Sequence, residues 1–124
     1  MNSSQTIYSL VGDDKIRKLT HYFYTEVVKN GALRVLYPED LEPAEERLYL
    51  FLVQVFGGPT TYSDQRGHPR LRMRHVHWEI NAQMRDHWLN AMLSAMDKVD
   101  LDQPVKEAMQ TYFVNAANHM INHG

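Results

Sequence analysis

The chain has 124 residues, 44% of them hydrophobic and 23% charged, with 13 Lys and Arg against 15 Asp and Glu for a formal net charge of -2. That is the length of one domain with an ordinary globular composition, and the near-neutral balance gives no overall field toward nucleic acid or an anionic membrane. Cysteine is absent, which excludes disulfides, thiolate zinc sites and iron–sulfur clusters. No apolar run has the length needed to cross a bilayer. The opening MNSSQTIYSL lacks the basic-then-apolar pattern of a secretory signal, so a cytoplasmic location is expected.

The periodicity is helical nearly throughout. In DDKIRKLTHYFYTEVVKN, Ile16, Leu19, Phe23 and Val27 recur at helical spacing, and Thr20, Tyr24 and Val28 form an adjoining stripe. Asp13 and Asp14 suit the positive end of the helix dipole, and Asn30-Gly31 closes the segment. ALRVLYPED reads as a short helical piece stopped before Pro38. In EPAEERLYLFLVQVF, Pro43 fits a first helical turn, and Ala44, Leu48, Phe51, Leu52 and Val55 make a broad apolar face. Gly57, Gly58 and Pro59 end that helix, and residues 57–68 read as a loop. A short helix is expected from Pro69 to about Val76. Asn81 is a plausible N-cap for a helix whose stripe holds Met84, Trp88, Met92 (or Ala91) and Ala95. The last helix is expected near Asp100, which stands at capping-box spacing from Gln103; Val105, Met109, Tyr112, Ala116 and Met120 form its apolar face. No segment has strand period. The expected class is all-α, with five or six helices.

The stretch RGHPRLRMRH, residues 66–75, concentrates arginine and histidine in an otherwise balanced chain. On a helix, Arg70 and Arg74 share one face, Leu71 and His75 another, and Arg72 lies one turn before His75. The bland reading is a solvated basic helix. Nucleic-acid binding requires a basic face extended by further Lys or Arg, which the overall balance does not supply. His75 and His77 point apart on a helix, and His75, sharing a stripe with Leu71 and Trp78, is the inward one. A lone inward histidine is more often a hydrogen-bonded core residue than a ligand. His119 and His123 have the spacing of a helical zinc pair, but no third ligand with the usual motif accompanies them, and exposure is the simpler account. Tyr24, Tyr37 and Trp88 each need a polar partner if buried; they are either core aromatics bonded to carbonyls or donors waiting for a polar ligand, and spacing does not decide. Glu45 and Glu46 read as a wet face. There is no G-x-S-x-G elbow and no glycine-rich phosphate loop.

FYTEV at 23–27, LYPEDL at 36–41, AEERLYLFL at 44–52, FGGPTTYSDQRGHPRLRMRH at 56–75 and RDHWL at 85–89 together resemble the truncated haemoglobins, specifically group II, the O-type. The similarity covers nearly the whole chain and is strongest from Phe23 to Leu89. It implies a single globin domain over 1–124, a two-over-two α-helical sandwich around a b-type haem, and His75 as the proximal iron ligand. It implies a distal polar trio of Tyr24, Tyr37 and Trp88, with Ala44 at the distal gate. Leu48 and Phe51 would line the distal side, and Met73 and Val76 the proximal side. Tyr62, Arg66 and Arg72 are the candidates for the haem propionates, Arg72 foremost, because guanidinium–carboxylate pairs are the stronger sort. Departures from the pattern are VGDDK in place of a double glycine, a PEDLEP loop shorter by one residue than in some relatives, and Val55-Phe56 where Tyr-Trp is frequent.

The resemblance thus implies a protein that binds O₂, NO, CO or other small ligands on haem iron and retains O₂ through distal donors, for redox or NO chemistry, with an unidentified reductase and as a monomer or homodimer. Whether it turns over as an NO dioxygenase or peroxidase stays open. A haem-free helical interaction module is the remaining alternative.

Overall fold

The computed structural model describes residues 5–67 and 81–120, and among them every regular element is a helix. In chain order these are α1 (Ile7–Val11), α2 (Asp13–Lys29), α3 (Gly31–Arg34), α4 (Glu42–Val55), α5 (Thr61–Arg66), α6 (Ala82–Asp97) and α7 (Gln103–His119). The α2 helix packs against both α4 and α6, and α6 packs against α7. Two helix pairs are thereby stacked, α2 with α4 and α6 with α7. None of the described helices is long and apolar enough to cross a membrane.

The core follows the expected stripes. Ile16, Leu19, Phe23 and Val27 of α2 are fully buried, which at helical spacing places them on one face. Of the adjoining stripe, Thr20 and Tyr24 are also buried, whereas Val28 is 58% exposed. The Thr20 hydroxyl donates to the Ile16 carbonyl at 2.9 Å, so its burial leaves no polar atom unsatisfied. From α6 come Ala91, Met92, Ala95 and Met96, and from α7 Val105, Met109, Phe113, Ala116 and Ala117. Phe113, absent from the expected α7 face, is one of the largest fully buried side chains.

Several helix ends match their sequence signals. Asn81 accepts from the Met84 N–H, and Pro43 sits in the first turn of α4. Asn30 ends α2 and also opens α3, its side-chain oxygen accepting from the N–H groups of Ala32 and Leu33. Two expectations are corrected, and one helix is added. The last helix starts at Gln103, within the DLDQPVK stretch where it is expected, but its N-cap is Asp102 rather than Asp100, and Pro104 sits in the first turn, where a missing N–H costs nothing. The N-terminal segment contains α1, closed by a reciprocal capping box between Thr6 and Ser9. Residues 57–68, read as a loop, contain α5. Thr60 makes no side-chain cap bond there. The cap comes instead from Gln54 of α4, whose Oε1 accepts from the Ser63 N–H at 2.9 Å. That contact is tertiary and leaves no local signal.

The turn after α4 is set by Gly57, at φ +98°, a conformation in which an L side chain is strained. A Cβ there would also stand 2.5 Å from the Cβ of Thr6, and one at Gly58 would stand 2.8 Å from Val53 Cγ1 and 2.9 Å from the Tyr8 ring. The N-terminal segment is docked on this turn, with the Tyr8 N–H donating to the Phe56 carbonyl at 2.7 Å. Gly57→Ala therefore destabilises the protein by more than ~1 kcal/mol. Urea unfolding is the measurement, and a midpoint unchanged from the parent chain would contradict this packing.

Candidate functional site

Tyr24, in the C-terminal half of α2, is buried, and Tyr37 follows α3. Their rings meet edge to face, 5.5 Å between centroids and 82° between planes. Edge-to-face contact is the favoured geometry for aromatic quadrupoles. The two phenols also share a hydrogen bond. Burial raises the Tyr24 pKa far above that of an ordinary phenol, and the neighbouring Tyr37 and the hydrogen bond with it add to the rise. Burial pushes Tyr37 up to about 12, opposed by the bond with Tyr24. Both phenols stay protonated and able to donate at any physiological pH.

Two side chains outside the expected set hold Tyr37. The Arg34 guanidinium donates to the carbonyls of Tyr37 at 3.2 Å, Pro38 at 3.0 Å and Glu39 at 2.9 Å. A fork of this kind clamps the turn after α3 through its backbone. Asn30, its Oδ1 already accepting two cap bonds, has only its NH₂ left. That group lies 3.0 Å from Nδ1 of His87 on α6, which therefore accepts, and the neutral ring carries its proton on Nε2. Asn30 thus ties the start of α3 to the residue before Trp88.

Trp88 itself is half-buried. Phe23 packs against both rings, 5.1 Å from the Tyr24 ring and 5.8 Å from the indole. On α4, Ala44 and Phe51 are buried and Leu48 half-buried, consistent with one face at i, i+4 and i+7. Tyr62 of α5 is buried with its ring 5.3 Å from Phe51. Arg66 is exposed in the last turn of α5. His75, Arg72, Met73 and Val76 lie outside the described residues, as does His123; His119 is exposed at the end of α7.

The structure thus brings Tyr24 and Tyr37 together directly, links them to Trp88 through Phe23, and joins Phe51 to Tyr62. Among the described residues no group of three or more His, Cys, Asp or Glu side chains could hold a bare metal ion. The candidate set is instead apolar surface with a few neutral donors, plus one arginine at the exposed end of α5. This is the lining suited to a largely apolar ligand. It fits a haem, whose ring is flat and greasy and whose edge bears two carboxylates.

The comparisons with known proteins agree with this class, a helical haem protein that binds small ligands. The chain matches the bacterial-like globin family over residues 6–122. It is 34% identical to the group 2 truncated hemoglobin YjbI of Bacillus subtilis over 115 residues, 93% of this chain and 87% of that one. The hemoglobin of the thermophilic phototroph Chloroflexus aurantiacus superposes with a TM-score of 0.93 at 45% identity, covering 96% of this chain and 99% of that one. A truncated oxygen-avid haemoglobin from Bacillus subtilis superposes with a TM-score of 0.92 at 33% identity, covering 95% and 100%. The chain belongs to the bacterial-like globins, and within them to the group II truncated haemoglobins. Its stacked helix pairs are their two-over-two sandwich.

The phenol pair has a measurable alkaline signature. Tyrosines whose pKa is raised on folding support the fold fully below about pH 10, their unfolded value, and that support is lost as pH rises toward the folded value. Tyr24 and Tyr37 are therefore expected to ionise only in a late step near or above pH 12, together with alkaline unfolding. In a spectrophotometric phenolate titration, Tyr24→Phe with Tyr37→Phe should remove two tyrosines from the late step. A late amplitude equal to the parent's would show that these phenols are not buried.

Proposed function

We propose that the chain is a single globin domain carrying haem b, and that it takes O₂, NO, CO or another diatomic ligand into a pocket whose phenol and indole donors slow the ligand's release. The observation that carries this reading is the hydrogen-bonded pair of neutral phenols, Tyr24 buried and Tyr37 half-buried, in a chain of group II globin fold. When bound, the haem supplies an iron whose open face accepts a diatomic ligand. His75 is the residue assigned to hold the iron, and Met73 and Val76 are assigned to the proximal side of the ring. Arg72, Arg66 and Tyr62 are assigned to the propionates, and Leu48 and Phe51 to the ring on the side of the phenols.

The donors act by holding protons at stated atoms. The bond between the two phenols uses one of their two O–H hydrogens; the other, with the Trp88 Nε1 hydrogen, can turn toward an acceptor. A hydrogen bond to an acceptor with partial negative charge contributes about 1.5 kcal/mol or more, roughly tenfold in affinity, and such gains appear mostly as slower release. Two or three donors suit retention rather than delivery. The avidity for oxygen in the name of the Bacillus subtilis relative supports the same reading. Ala44, with only a methyl group, offers no imidazole at the gate position. Retention favours redox or NO chemistry supplied with electrons by a reductase, in the cytoplasm, over simple transport.

Two experiments test the reading. His75→Ala is expected to lose or distort the Soret band, and an unaltered haem spectrum would remove His75 as ligand. Tyr24→Phe and Trp88→Phe are each expected to speed O₂ dissociation about tenfold in stopped-flow measurements. Rates within about twofold of the parent for both variants, well under the effect of one such bond, would refute retention by these donors.

A further inference from the structure

Helix α5 is six residues long, too short to be stable on propensity alone. Its designated N-cap, Thr60, makes no side-chain bond to the helix. Two contacts from another element replace that bond. Gln54, near the end of α4, accepts from the Ser63 N–H at 2.9 Å through Oε1 and donates to the Ser63 hydroxyl at 2.7 Å through Nε2. Ser63 is the third residue of α5, and the N–H at that position is one that an N-cap side chain normally satisfies. The Gln54 carboxamide therefore does the work of a cap from the neighbouring helix.

Its place in the chain gives the contact a consequence. Tyr62, one residue before Ser63, is buried with its ring on Phe51. Gln54 and Phe51 are three residues apart on α4 and so lie on adjoining faces. One patch of α4 thus holds α5 twice, by a ring contact and by a two-bond amide clamp. The α5 helix ends at Arg66 and Gly67, the latter at φ +78°, and the chain then enters the segment that carries Arg72 and His75. Position and tilt of α5 are set by Gln54 before that segment begins.

We propose that Gln54 is a positioning residue for the cofactor. By capping α5 from α4, it fixes Tyr62 and Arg66 and the point from which the chain departs toward His75, and so slows haem loss. This rests on the haem reading above. Gln54 touches neither iron nor ligand; it acts through Ser63, and its effect falls on cofactor retention rather than on ligand release controlled by Tyr24 and Trp88.

The test compares Gln54→Ala, Gln54→Glu and a control, Val105→Ala in α7, as ferric holoproteins challenged with excess apomyoglobin as haem acceptor. Amide exchange at Ser63 is followed in the apoproteins. Gln54→Ala is expected to release haem roughly fivefold faster, the ratio a typical lost cap is worth, and to lose protection at the Ser63 amide. Gln54→Glu keeps an acceptor for that N–H, and the Ser63 hydroxyl can turn to donate to it, so parent-like haem loss and protection are expected. Oxygen dissociation should be unchanged in both. Haem loss from Gln54→Ala equal to the parent's overturns the proposal. So does equal acceleration in Val105→Ala, since the effect would then be one of general stability, and so does a Glu variant that fails to restore retention. A parent chain that takes up no hemin overturns the haem reading instead, and Ser63 protection in the apoproteins still decides whether Gln54 caps α5.

Discussion

The burial of one face of α2 is the contact on which the rest of the domain hangs. Ile16, Leu19, Phe23 and Val27 are almost wholly removed from water, each full burial of such a side chain being worth about 1.5–3 kcal/mol by area. They are covered by α4 on one side and α6 on the other. Phe23 is the point where this packing becomes functional geometry. Its ring packs against both Tyr24 and Trp88. The spacing between a phenol on one helix and an indole on another is thus set by a residue that belongs to the core.

The second organising device is polar. The segment after α3 has little regular structure of its own, yet it must hold Tyr37 against Tyr24. Arg34 supplies the missing order by donating to three successive backbone carbonyls, those of Tyr37, Pro38 and Glu39. Asn30 adds the reference to α6 through His87. The aromatic donors therefore stand on loops and helices whose relative positions are held by a few amide and guanidinium groups, none of them a candidate to touch a ligand.

How much of this could be read beforehand varies with the range of the interaction. The α2 stripe, the Asn81 cap and the Pro43 turn depend on residues within a few positions of one another, and pattern alone reveals them. Tyr24, Tyr37 and Trp88 were distinguishable only as residues needing partners; the family resemblance, not their spacing, separated them from ordinary core aromatics. Helix α5 was invisible because its cap is Gln54 of another helix. Arg34 carries no signal of its role in the sequence because its acceptors are backbone carbonyls, which every residue has. Phe113 escaped because Tyr112, one residue earlier, satisfied the same periodic pattern, and only the packing of α7 on its neighbours decided which ring goes inside.

The docking of the N-terminal segment on the turn at Gly57 and Gly58 leaves a mark on how the chain can vary. The space next to those two glycines is already filled by Thr6 and Tyr8. Positions about fifty residues apart therefore share one volume between them. Within the lineage, a larger residue at Gly58 becomes tolerable only after Tyr8 shrinks or lifts away, so substitutions at the two places should arrive in a fixed order.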